Sequence, residues 1–151
     1  MSFLKKLNWA NLKKFISDNI THSKDSNVKM AASIGLGFFF GVSPFWGYHM
    51  ILAGVAAHFL KLNKIVAIAS SNISLPPLIP FIVYGGFVMG NWIFNKPVTI
   101  TLKTVMDQSI GESLIEYVVG SLTLGLIAAL LGFCFSYLLL KKFRKIQPEQ
   151  K

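Results

Sequence analysis

The sequence predicts an all-α integral membrane protein with two or three transmembrane helices, and with Pro/Gly-broken helical segments that can turn back as re-entrant hairpins. Three observations carry that expectation. Hydrophobic residues make up 53% of the 151 and charged residues 14%, with a mean hydropathy of +0.55. Soluble domains average roughly 45–50% apolar and 25% charged. Charge is also excluded from three long runs, residues 30–60, 65–95 and 117–140, and the first two runs are interrupted near their middles by proline and glycine.

The length fits a single domain, divided into a basic N-terminal segment (1–29), one membrane domain (30–140) and a basic tail (141–151). A single cysteine cannot form an internal disulfide, and the hydrophobicity excludes a disordered or collagen-like chain. The net charge of +9 comes from fifteen Lys and Arg against six Asp and Glu, and most of the basic residues fall outside the apolar runs, in the two tails. That placement points to anionic lipid headgroups as the partner, and not to nucleic acid.

Taken in order, residues 1–29 carry Lys5, Lys6, Lys13, Lys14, Lys24 and Lys29 among Leu4, Leu7, Trp9, Leu12, Phe15 and Ile16. No continuous apolar stretch of signal-peptide type is present, so the segment reads as a loosely amphipathic surface helix with snorkelling lysines, or as a solvated tail. The runs 30–60 and 65–95 are each 31 residues long. A straight helix of that length would be about 46 Å and need a tilt of about 50°, whereas two full crossings need about 20 residues each. The interruptions Gly41-Val42-Ser43-Pro44-Phe45-Trp46-Gly47 and Ser70-Ser71-Asn72-Ile73-Ser74-Leu75-Pro76-Pro77 are where helix should stop, leaving half-helices that meet at membrane depth. Residues 117–140 are charge-free for 24 residues, about 36 Å of helix, and read as one ordinary transmembrane helix. Gly120, Gly125, Ala128, Ala129 and Gly132 give that helix small-residue faces, expected to pack within the chain.

Lysine and arginine counting selects a topology. If the first run is a hairpin and the other two cross once, thirteen basic residues lie on one side and two, Lys96 and Lys103, on the other; three crossings split them eight to seven. The positive-inside rule prefers the first arrangement, with both termini cytoplasmic and the loop bearing Asp107, Glu112 and Glu116 outside.

Broken backbone at membrane depth must be buried in protein or line a wet cavity, because each unpaired N–H or C=O costs several kcal/mol in lipid. The breaks supply hydroxyls, an amide, an imidazole and an indole, and a half-helix starting near Gly47 would direct its amides inward. The candidate substrate-facing residues are therefore Ser43, Pro44, Trp46, Gly47, His49, Asn72, Ser74, Pro76 and Pro77, in the manner of a transporter's midplane site for an anionic group. The plainer alternative is helix packing, since Ser and Asn in membrane helices often bond a neighbouring backbone.

These same residues carry a resemblance. Gly35-Leu36-Gly37, the stretch from Gly41 to His49, Lys61-Leu62-Asn63, Ser71-Asn72 and Pro76-Pro77 resemble the bacterial membrane family called domain of unknown function 2062. The resemblance is closest over residues 30–95. The family pattern usually has Gln at the position of His49 and Pro at that of Ile73, which weakens any role resting on that amide or on an Asn-Pro turn. The resemblance implies an inner-membrane protein, with some relatives joined to glycosyltransferase domains, and by that analogy the handling of polyprenyl-linked or envelope-glycan lipids.

Catalytic chemistry finds little support. His22, His49 and His58 have no metal-ligand spacing, Cys134 reads as apolar filler, and Glu112 and Glu116 read as a solvated helix start. No phosphate loop or nucleophile elbow occurs, and Gly35 and Gly37 mark close helix packing. The expectation is a non-enzyme without metal or cofactor. It is either a small transporter or lipid-translocating module for an anionic, lipid-linked substrate, or a scaffold for an envelope-glycan or lipid-modifying enzyme. It is expected to form a homo-oligomer or to bind a membrane protein partner.

Overall fold

A computed structural model describes residues 25–45, 47–72, 78–97 and 114–143. Most of the N-terminal segment, the loop carrying Asp107 and Glu112, and the tail beyond Phe143 lie outside the described residues. The described chain folds as five helices: α1 (Asn27–Val42), α2 (His49–Phe59), α3 (Lys64–Ser71), α4 (Ile79–Ile93) and α5 (Leu114–Phe143). Each long apolar run is divided where the sequence predicts. The third run is a single helix of 30 residues, three longer at each end than its charge-free core and about 45 Å long.

Local chemistry sets the ends. Ser26 caps α1, its Oγ accepting from the Lys29 N–H at 3.2 Å. The same helix stops at Val42 because Ser43 precedes Pro44 and is held extended at φ −65°, ψ 155°. After α2, the N–H of Lys61 donates to the His58 carbonyl and that of Leu62 to the Ala57 carbonyl. Lys61 stands at φ 54°, the left-handed position of a Schellman ending. Asn95, at φ 56°, closes α4 in the same way, with Lys96 N–H on the Asn91 carbonyl. Asn63 caps α3 through its Oδ1 at 3.2 Å from the Val66 N–H.

The packing defines direction. Ser33 and Gly37 of α1 face Asn63 and Ala67 of α3, so these two helices run parallel. The short turn over residues 60–63 joins α2 to α3 and reverses the chain, so α1 and α2 form a helical hairpin. Both α1 and α4 run antiparallel to α5. Gly35 lies against Ala129, Met30 clusters with Leu140, Gly85 lies against Leu124 and Gly90 against Glu116. At about 24 Å and 22 Å, α1 and α4 stand nearly end to end along the 45 Å of α5. Lys29, Lys61, Lys64, Lys141 and Lys142 fall at one end of this bundle, and Lys96 at the other.

Two small cores hold the halves. Met30, Ala31, Val66 and Leu140 pack at the lysine-rich end, with Phe133 and Tyr137 stacked beside them. Val83 and Phe87 pack against Tyr117 at the other, their aromatic centroids 5.0 Å apart. Glycine permits the closest approaches. A Cβ on Gly90 would fall on the Glu116 carbonyl, and one on Gly120 on the Gly86 carbonyl, so α4 and α5 touch backbone to backbone. The small-residue faces of α5 are thus consumed within the chain. Cys134, expected as filler, instead sits on the exposed face of α5, and Glu116, expected to be solvated, is buried and paired with Lys96.

Candidate functional site

The ends of four helices come together near the middle of α5. Ser43 lies against Gly125, about 5 Å along the axis from the centre of the charge-free stretch 117–140. There α1 and α3 end side by side, and α2 and α4 begin. A crevice of about 120 Å³ opens between them, lined by Phe40, Gly41, Ser43, Gly47, His49, Ile79 and Ile82. A larger hollow of about 810 Å³ runs along α4 from Gly85 to Lys96.

The turn from α1 into α2 is built by glycine. The Tyr48 N–H donates to the Phe45 carbonyl at 3.1 Å, and Gly47, the third residue of that turn, takes φ 82°, the value a type II turn demands. Neither α2 nor α4 has a side-chain cap at its start, and Pro80 removes one donor from the first turn of α4. First-turn amides of both helices therefore lack intrahelical partners beside the crevice, at the positive ends of two helix dipoles. The α1 carbonyl end adds the opposite sign at Gly41 and Val42. Ser43 lines the crevice and is buried, and it donates its hydroxyl back to the Phe39 carbonyl at 2.7 Å. The half-buried His49 ring makes no hydrogen bond to another described residue.

Of the candidates read from sequence, Ser43, Gly47 and His49 share this crevice. Pro44 lies in the same break, half-buried, and is not part of the wall. Asn72 does not join them. It is exposed, and its Nδ2 donates to the Ile68 carbonyl at 2.9 Å, closing the end of α3. Trp46, Ser74, Pro76 and Pro77 lie outside the described residues. Phe40, Ile79 and Ile82, which complete the wall, carry no signal in the sequence that separates them from other apolar residues. Gly86 and Gly90, not singled out from the sequence above, do carry a signal, the four-residue spacing of a close-packing face. Among the described residues no three His, Cys, Asp or Glu side chains converge as metal ligands do.

Five helices and no strand among the described residues define an all-helical fold, in which one helix, α5, is long and apolar enough to cross a membrane. The interrupted apolar segments set this fold apart from a simple bundle. The chain belongs to the family described as an uncharacterized protein conserved in bacteria, domain of unknown function 2062, whose model matches residues 12–148. Neither a curated protein nor a solved structure matches it.

Proposed function

We propose that this is a multi-pass protein of the bacterial inner membrane that moves an anionic, lipid-linked group past the crevice at its helix breaks, without covalent chemistry of its own. The observation that carries this reading is the convergence of two helix starts without side-chain caps, those of α2 and α4, at mid-length of α5, the one membrane-length helix among the described residues. Irregular backbone at that depth is tolerated where it lines a cavity, and half-helix starts favour anionic groups. Only 22% of the most apolar 18-residue stretch of α5 is buried, which leaves Leu130, Leu131, Phe135 and Leu138 for lipid contact. The lysine-rich end then faces the cytoplasm, with both termini, and meets anionic headgroups.

The test is translocation of a headgroup-labelled anionic phospholipid in proteoliposomes, read by impermeant quenching. Wild-type protein should accelerate it, and His49→Ala together with Ser43→Ala should slow it at least about tenfold, the loss of about 1.4 kcal/mol of barrier lowering. Equal rates with and without protein, or an unaffected double variant, would overturn the reading. One observation favours the scaffold alternative: the 120 Å³ crevice is smaller than the about 300–1,000 Å³ of most ligand sites. A scaffold would yield one stoichiometric partner on crosslinking in native membranes, whereas a transporter of this size would yield copies of itself.

A further inference from the structure

The crevice and the hollow follow one another along α4. Ile82 lines the crevice, and Gly85 and Met89, three and seven residues on and so on the same face, line the hollow that continues towards Lys96. On α5, Leu124 borders the hollow, and the next residue, Gly125, lies against Ser43 of the crevice wall. Gly85, at the crevice end of the hollow and one turn beyond Ile82, has no side chain, and a Cβ there would meet the tip of Leu124 at 3.1 Å. The opposite direction is shut. Between the crevice and the lysine-rich end, Met30, Ala31, Ser33, Val66 and Ala67 are all buried, and Ser33 Oγ accepts from the Asn63 N–H at 2.9 Å.

The first-turn amides of α2 give a physical reason for water to come in. They lie at mid-length of α5 without a side-chain cap among the described residues, while Gly47 and Tyr48 beside them are exposed. In hydrocarbon such groups would each cost several kcal/mol, and a wet path to them removes that cost. We propose that the hollow along α4 is this path: the ligand of the crevice enters and leaves from the Lys96 end, the lysine-rich end is closed in this conformation, and Gly85 is the residue whose lack of a side chain keeps the path open. The identity of that ligand, the anionic headgroup of a lipid, rests on the function proposed above; the path does not.

Accessibility tests it on the full chain in native membranes, in a Cys134→Ser background, with an impermeant charged thiol reagent applied to each face. Asn95→Cys marks the Lys96 side and Lys61→Cys the opposite side. Ile82→Cys and Met89→Cys should both label only from the side that labels Asn95→Cys. Adding Gly85→Leu should abolish labelling of Ile82→Cys and leave that of Met89→Cys unchanged, which also shows that the helix is intact. Labelling of Ile82→Cys from the Lys61 side, from neither side, or regardless of Gly85→Leu overturns the path. Correct labelling with no protein-dependent lipid translocation leaves the path standing and removes the proposed cargo.

Discussion

Asn63 ties three parts of the chain together through one side chain and its own amide. Its Oδ1 caps α3, its Nδ2 donates to Asp25 at 2.8 Å, and its N–H donates to Ser33 at 2.9 Å. Asn63→Ala keeps the last of these and loses the first two, and should destabilise the protein by about 2 kcal/mol in a thermal or denaturant titration in detergent. An unchanged midpoint would mean that water replaces the side chain at no cost. Ser121 presents the opposite case. Its hydroxyl is fully buried against Gly86 and has no hydrogen-bond partner among the described residues, so it bears a desolvation penalty without compensation there. Ser121→Ala should be neutral or stabilise by up to about 1 kcal/mol, and a clear loss of stability in the same titration would show that the hydroxyl has a partner in the membrane.

At the scale of elements, neighbouring glycines of α4 have different duties. Gly85 faces the hollow, where the nearest obstacle is the flexible end of Leu124, whereas Gly90 meets backbone of α5. Gly85→Ala should therefore leave the fold intact, with a helix-propensity gain of up to about 1 kcal/mol. Gly90→Ala and Gly120→Ala force α4 and α5 apart and should each cost about 3 kcal/mol, visible as a fall in thermal midpoint and loss of monodisperse protein on gel filtration. If the three substitutions behaved alike, the backbone contact between these helices would not be what holds them. The Lys96–Glu116 pair closes the same two helices at their outer end, and it sits where α4 leaves its Schellman turn.

For the whole molecule, the question is which ends share a side. The bundle gathers Lys29, Lys61, Lys64, Lys141 and Lys142 at one end, and the proposed topology places that end in the cytoplasm. In cells, a fluorescent protein fused after residue 151 should fluoresce, which it does only in the cytoplasm, and alkaline phosphatase fused after residue 97 should be active, which it is only outside. The reverse pattern would place the lysine-rich end outside, against the positive-inside rule. A fluorescent carboxy-terminal fusion combined with inactive phosphatase would mean that α4 does not complete a crossing.

How much of this was legible beforehand follows from range. Pro44, Gly47 and the prolines after Asn72 act on their own backbone, so the interruptions of both apolar runs could be placed from the sequence, as could the single long helix over 117–140 and the family to which the chain belongs. Contacts between distant segments were not legible in this way. The sequence grouped Asn72 with Ser43 and His49, yet the folded chain turns Asn72 onto its own helix and closes the crevice with Ile79 and Ile82. Likewise Glu116 looked solvated until Lys96 and the close approach at Gly90 buried it. The sequence by itself determined where helices start and stop, because capping and proline are local. Only the tertiary structure decided which helix ends meet, because that depends on glycines far apart in the chain bringing backbones into contact.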